Sequence, residues 1–246
     1  MKHSKKLLFG SLFFIGIASP FAHAATGFRN GGDAVLCFAF DRTADNVRFQ
    51  MQENRKRKNP YRDPLSWSAL QELQSVELLD LYQMQRSGFS GEDPLISPQE
   101  NFLAFAHERF DLLAKASPSR FAERIEFQRA RLPEDLWVGM ESGVVEVSDF
   151  ESEFFLPRKC VLAQFAMQSQ GRVLFDRRLF ERLPSLHQSA FFVHEWLVGL
   201  IQTSSPRQSG PTPQDVHLLT GLLFRKDFES RKSADFERWL ADHRFL

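Results

Sequence analysis

The stretch that decides the expected fold is residues 160–202, CVLAQFAMQSQGRVLFDRRLFERLPSLHQSAFFVHEWLVGLIQ. Their first half alternates loosely between apolar and polar residues around a break at residues 169–171, which predicts a β-hairpin. From His187 onward, apolar residues recur at helical spacing and also fill the other sides, so little of this helix can face water. The stretch therefore predicts a hairpin followed by a buried core helix.

This helix carries an adjacent pair of polar residues, His194 and Glu195, among apolar neighbours. Charged and imidazole side chains are rarely fully buried without a partner, so the pair is the most informative feature of the sequence. One interpretation is structural, with each side chain satisfied by the backbone or by a residue such as Arg177 or Arg178. The other interpretation places the pair beside a functional pocket.

A His-Glu pair on a helix is similar to the active helix of zinc peptidases. In those enzymes two histidines one turn apart bind the metal, and the glutamate after the first acts as base. Here Val198 stands one turn after His194, so we expect no metal cofactor. Zinc stays an open alternative, for which the nearest further ligands in sequence are His187, Asp215 and His217. His217 would serve only if the last helices folded back.

A metal-free enzyme is a further alternative for the same pair. Glu195 would act as general acid or base with His194 orienting it, because burial raises the pKa of a carboxyl group toward neutrality. The sequence contains no Gly-x-Ser-x-Gly, phosphate loop or dinucleotide fingerprint, which argues against nucleotide-dependent chemistry.

The N-terminus has the three parts of a secretory signal peptide. Three early lysines are followed by an apolar run at residues 7–17 and a small-residue cleavage site at residues 22–24. The sequence therefore predicts a signal peptide at residues 1–24, a single globular domain at residues 25–246, and a periplasmic or secreted location.

The charge balance is even, with 31 basic and 31 acidic residues. Such a chain has no overall bias toward nucleic acid or anionic membranes, and the basic run at residues 54–62 is interpreted as a solvated loop. No segment has the roughly 20 apolar residues of a membrane helix. We expect the partner to be an unknown protein or an envelope polymer, and not a nucleic acid.

Two cysteines, Cys37 and Cys160, are present in the whole sequence. In an exported chain such a pair predicts a disulfide bond, here between an N-terminal strand and the hairpin. Neither cysteine lies in a C-x-x-C motif or beside a histidine, so neither is expected to be a nucleophile or a metal ligand.

The rest of the chain is mainly helical by pattern. Apolar periodicity and turn residues predict five further helices and one further hairpin. The helices are at residues 66–86, 97–116, 117–131, 214–228 and 234–245, and the hairpin is at residues 136–148. Together these elements predict an α+β fold, mostly helical, with a small antiparallel sheet beside the buried His-Glu helix.

Four blocks in this order resemble a family of small exported proteins common in predatory Gram-negative bacteria: residues 30–37, residues 75–82, residues 157–160 with Gln164 and Gln168, and residues 190–195. Members pair a Gly-Asn-Gly-Gly-Asp start with two cysteines and a late His-Glu helix. The resemblance implies export and a shared fold and implies no particular activity. Arg29 stands where a glycine is usual, and residues 196–199 replace a segment that usually runs to Tyr-Arg-Glu.

Two functions from different classes follow. The first is an exported, disulfide-stapled protein that binds an envelope or protein partner. The alternative is a hydrolase, either a degenerate zincin-like peptidase or a metal-free acid/base enzyme, with His194 and Glu195 as catalytic residues. The surroundings of His194 discriminate between them.

Overall fold

The structure is a computed structural model that describes residues 32–57, 63–86, 95–96, 101–142, 145–146, 156–202, 210–231 and 233–246. The predicted signal peptide, residues 1–24, lies outside the described residues. So does part of the basic run, residues 58–62.

Seven strands within the described residues form two small sheets. They are β1 (Asp33–Phe38), β2 (Leu73–Leu78), β3 (Trp137–Met140), β4 (Val145–Glu146), β5 (Cys160–Gln164), β6 (Ala166–Ser169) and β7 (Arg172–Asp176). The first sheet has the order β2-β1-β5-β4 and is antiparallel throughout; the second has the order β3-β7-β6. All six residues of β1 are buried, so this strand lies at the centre of the fold.

The helices are α1 (Asp41–Lys56), α2 (Trp67–Gln71), α3 (Leu79–Arg86), α4 (Phe102–Ala116), α5 (Ser119–Arg131), α6 (Arg177–Phe180), α7 (Ser185–Gln202), α8 (Pro213–Leu223) and α9 (Ser233–Asp242). Two short 3-10 turns cover Glu134–Leu136 and Phe228–Ser230. The predicted α+β class, mostly helical with small sheets, is confirmed. None of the helices that the structure describes is long and apolar enough to cross a membrane.

The predicted hairpin around residues 169–171 is present between β6 and β7. Gln170 and Gly171 turn the chain with positive φ angles of 52° and 74°, the region that glycine adopts without steric cost. The preceding strand β5 belongs to the other sheet, because Phe165 interrupts the ladder. There the backbone N–H of Phe165 donates to the carbonyl of Gly32.

Two sequence-based predictions of local structure are wrong. The predicted helix at 66–86 is a short helix, a strand and a second helix, because β2 supplies buried Leu73, Val76 and Leu78 to the edge of β1. The predicted hairpin at 136–148 is also absent. Its two strands join different sheets, β3 running parallel to β7 and β4 antiparallel to β5. In both places pairing with distant strands overrides the local pattern.

Cys37 and Cys160 form the predicted disulfide bond. The two residues lie directly opposite each other in the β1–β5 ladder, and both are buried. The bond therefore joins the centre of the first sheet to its neighbouring strand.

The main hydrophobic core surrounds α7, which is buried almost from end to end. Aromatic rings pack along it, including the stacked pair Phe102–Phe192 and the edge-to-face pair Trp137–Phe191. A Phe-rich core accounts for much of the bias toward 26 phenylalanines in the sequence. His194 and Glu195 of α7 are thus buried within this core.

Candidate metal centre

His194 of α7 lies beside a carboxylate that sequence reasoning did not assign to the site, Asp80 of α3. Its Nδ1 atom is 2.8 Å from Oδ1 of Asp80, and both side chains are almost completely shielded from solvent. In this arrangement the Nδ1–H group donates to the carboxylate. The histidine on the core helix therefore has an anionic partner.

A second imidazole, that of His217 on α8, completes the cluster. Its Nδ1 atom is 3.3 Å from the same oxygen of Asp80, and the centroids of the two histidine rings are 5.0 Å apart. One donor atom from each of Asp80, His194 and His217 lies within 4.8 Å of the others, and all three residues are buried. Three separate helices thus converge on one point in the core.

The close approach of α8 to α3 depends on Gly221. A Cβ atom at this position would meet Cε of Met84 at 2.8 Å and the backbone oxygen of Asp80 at 3.2 Å, which is tighter than ordinary contact. Because glycine has no side chain, α8 can lie against α3. That contact brings His217 to Asp80.

The pKa values of His194 and Asp80 are shifted more by their neighbours than by burial. Burial alone lowers the pKa of an imidazole, but the Asp80 carboxylate outweighs it and raises the pKa of His194 to about 9. Burial likewise opposes ionisation of Asp80, yet His194 and His217 hold the pKa of this carboxyl well below its usual range. Asp80 is therefore an anion beside a protonated His194.

A second carboxylate, that of Asp33, lies on the far side of His217. Its Oδ2 atom is 3.8 Å from Nε2 of His217, and the residue is buried at the start of β1. Burial raises the pKa of Asp33 to about 7, and the nearby His217 and His194 oppose this rise. His217 therefore has one carboxylate facing each of its ring nitrogens.

Glu195 contacts a different partner from its neighbour His194. The Nε2 atom of Gln168 donates to Oε2 of Glu195 at 3.0 Å and to its backbone oxygen at 2.6 Å. Burial raises the pKa of Glu195, while His194 and the hydrogen bonds from Gln168 and the Gly32 backbone act in the opposite direction. The two neighbouring side chains thus have different partners: His194 contacts Asp80 on α3, and Glu195 contacts Gln168 on β6.

The arginines proposed as partners of the pair bind elsewhere. Arg177 pairs with Glu141 and Glu181, whereas Arg178 pairs with carboxylates of Asp176 and Asp63. The expectation that either arginine satisfies His194 or Glu195 is therefore wrong.

Of the three further ligands considered from the sequence, only His217 reaches His194. His187 accepts a hydrogen bond at Nδ1 from the backbone N–H of Leu78 at 2.9 Å, and Asp215 forms the N-terminal capping box of α8 with Thr212. The last helices do fold back, as a contribution from His217 requires. Sequence reasoning missed Asp80, whose signal was a carboxylate inside the apolar run at residues 78–82.

The donor set is one that metals use. Imidazole nitrogen and carboxylate oxygen both bind zinc at about 2.0–2.2 Å, a length compatible with donors a few ångströms apart. Asp80 also has a second oxygen, Oδ2, that is buried and has no hydrogen-bond partner among the described residues. A buried acceptor of this kind is costly unless something binds it. The cluster of Asp80, His194 and His217 is therefore a candidate metal centre.

Comparison of the chain with protein-family models, with curated proteins and with solved structures finds no match. No activity of a relative can therefore be carried over to Asp80, His194 or His217. What these side chains do follows from their own geometry and charge.

Proposed function

We propose that this chain is an exported, disulfide-stapled protein that binds one divalent metal ion, zinc, in its core, with Asp80, His194 and His217 as ligands. The observation that carries the proposal is the convergence of three buried donor atoms, one from each of three helices, within 4.8 Å of one another. Local sequence does not produce this arrangement, because the three residues are far apart in the chain.

The chemistry of the donors supports zinc. Two imidazoles and one carboxylate, without a thiolate, form a set found at zinc sites and also at non-haem iron sites. The filled d shell of zinc imposes no geometric preference, so zinc tolerates ligands whose directions are fixed by helix packing. The second oxygen of Asp80, buried and unpartnered among the described residues, would fill a further coordination position.

Burial supports a structural centre over a catalytic one. The side chains of His194, His217 and Asp80 are no more than 3% exposed. A catalytic zinc keeps one position open to water or substrate, and such a position needs a path to solvent. Glu195, the base of the hydrolase alternative, is engaged by Gln168. We therefore place metal binding ahead of hydrolysis.

Export is the second part of the proposal. A disulfide bond persists in oxidising compartments and is rare in the cytosol, so the Cys37–Cys160 bond is compatible with a periplasmic or secreted location. Binding of an envelope or protein partner stays a prediction. Cell fractionation with antibodies against the chain tests the location, and recovery of the protein in the cytosol would contradict it.

The metal is tested on the purified, oxidised chain. The protein is loaded with zinc, dialysed against metal-free buffer and measured by elemental analysis, and we expect one zinc ion per chain. Removing a ligand by His217→Gln or Asp80→Asn should abolish stoichiometric retention. Stoichiometric iron in the protein as purified, before loading, would revise the identity of the ion and leave the site intact.

His187 provides a matched control for this experiment. It is a buried histidine on the same helix as His194, but its Nδ1 atom already accepts from the Leu78 backbone. His187→Asn keeps an acceptor at that place and should retain one zinc ion per chain. Equal loss of zinc from this control and from His217→Gln would overturn the assignment of ligands.

Thermal melting supplies a second readout. A ligand that binds the folded state alone at 100 times its Kd stabilises by about 2.7 kcal/mol. Zinc should therefore raise the Tm of wild type and of His187→Asn but not of His217→Gln. A wild-type chain that neither retains zinc nor gains stability from it would show that the cluster is a metal-free charge network.

A further inference from the structure

Asp33 holds a position relative to His217 that corresponds to the outer carboxylate of many histidine–metal sites. A histidine that binds a metal through one ring nitrogen usually donates its other N–H to a carboxylate, a carbonyl or water. That outer partner fixes the tautomer and the orientation of the ring. In this protein Asp80 faces Nδ1 of His217 at 3.3 Å, and Asp33 faces Nε2 at 3.8 Å.

We propose that Asp33 is a positioning residue of the metal centre, which holds a proton on Nε2 of His217 and so assigns Nδ1 as the metal-binding atom. This inference rests on the proposed function, since it concerns the same site. Asp33 itself does not bind the ion in this arrangement.

The topology of the first sheet places Asp33 at the site. Ala34 of β1 pairs with Leu78 of β2, and α3 begins at the next residue, Leu79. Asp33, one residue before Ala34, therefore lies beside the start of α3, where Asp80 is located. The position is also fixed from the other side, because Asp33 pairs with Gln164 of β5.

The environment of Asp33 favours this role over that of a surface charge. Its side chain is buried and lies against His217 of the cluster. The separation of 3.8 Å between Nε2 and Oδ2 is roughly 1 Å longer than an N–H···O hydrogen bond. The proposal therefore requires Nε2 of His217 to lie closer to Asp33 in the metal-loaded protein than it does here.

The test compares the zinc affinity of wild type with that of Asp33→Asn, by competition with a chromophoric chelator. Loss of an outer-shell partner typically weakens metal affinity 10- to 100-fold, and we expect a loss in this range. Asp111→Asn is the control. Its carboxylate pairs with Arg129 on the protein surface, so zinc affinity should stay at the wild-type value.

Cobalt substitution separates positioning from ligation. The visible spectrum of bound Co²⁺ reports the ligand atoms, so Asp33→Asn should retain the wild-type spectrum at saturation. His217→Gln should lose or shift it. A change in the number of ligands in Asp33→Asn, reported by the intensity of the Co²⁺ spectrum, would show that Asp33 is itself a ligand, and this would overturn the positioning role.

A measurement on the wild type keeps the inference testable if Asp33→Asn fails to fold. Long-range proton–nitrogen NMR spectra of the zinc-loaded protein report which nitrogen of His217 bears the proton. We expect a protonated Nε2 and a metal-bound Nδ1. A metal-bound Nε2, or an Asp33→Asn variant with wild-type affinity, would refute the role of Asp33 while leaving zinc binding established. A wild-type chain without zinc would refute both proposals.

Discussion

The Nδ1 atom of His194 lies 2.8 Å from Oδ1 of Asp80, although 114 positions separate the two residues in the chain. This contact links the core helix α7 to the helix that follows β2. Both side chains are buried, so His194 depends on Asp80 for its anionic partner, and Asp80 on His194 for the nearer of its two imidazoles. Breaking the contact from either side should therefore be costly.

Asp80→Asn should destabilise the metal-free protein by about 3–5 kcal/mol, because it leaves buried cationic His194 without its carboxylate. Urea unfolding in the presence of a chelator measures the change. The surface variant Asp111→Asn should cost no more than about 1 kcal/mol. In the double variant Asp80→Asn/His194→Gln, the loss should be smaller than the sum of the single losses. Strict additivity would mean that the two residues act independently.

Gly199→Ala should destabilise the protein by about 1–3 kcal/mol, although alanine favours helices more than glycine does. A Cβ atom at this position of α7 would overlap Nε2 of Gln128, whose side chain is buried on α5. Urea unfolding measures the loss. Combining the change with Gln128→Ala should make the total loss less than additive, because the shortened side chain vacates the space. A Gly199→Ala protein as stable as wild type would contradict this packing.

His187 should make stability fall in mild acid. Burial lowers the pKa of His187 to about 4, with Asp80 opposing the shift, whereas an unfolded histidine titrates near 6.5. The unfolded chain therefore binds more protons between these values, and stability is lost as pH falls from 6.5 to 4. The full loss is about 3 kcal/mol.

The comparison with His187→Asn isolates this contribution. The variant keeps an acceptor for the Leu78 backbone N–H but does not titrate in this range. The free energy of unfolding of both proteins is measured by urea at pH 7 and pH 4. The advantage of wild type over the variant should shrink by about 3 kcal/mol at the lower pH. Parallel pH dependences would show that His187 is not buried as described.

Labelling of the denatured, unreduced protein should find no free thiol at Cys37 or Cys160. The bond closes a sequence separation of 123 residues, for which the chain-entropy model gives about 4–5 kcal/mol of stabilisation. The double variant Cys37→Ala/Cys160→Ala should unfold at a lower urea concentration than wild type. Two labelled thiols in the untreated protein would contradict the bond.

The sequence predicted elements that depend on local pattern better than elements that depend on pairing with a distant segment. The core helix was recognised from residues 187–201, because its apolar residues surround it on every side. The segment at residues 73–78 was assigned to a helix, since its leucines and valine fit helical spacing as well as strand spacing. Only its pairing with β1, nearly 40 residues earlier, selects the strand.

The candidate site was predicted in the same uneven way. His194 was singled out correctly as a buried polar residue that needs a partner, and His217 was named as a distant possibility. Asp80 and Asp33 were missed, because their approach depends on β1–β2 pairing and on the contact of α8 with α3 at Gly221. Such contacts between distant segments cannot be inferred from the sequence pattern of one segment.

The pairing of Cys37 with Cys160 has a consequence for how the sheet is aligned. Successive side chains of a strand point to opposite faces, so a slip of one residue between β1 and β5 would turn Asp33 away from His217. The sulfur–sulfur bond permits only one alignment of these strands. Once the cysteines are oxidised, the bond opposes a slip of β1 against β5. The disulfide bond therefore helps to determine on which face of β1 the carboxylate of Asp33 lies.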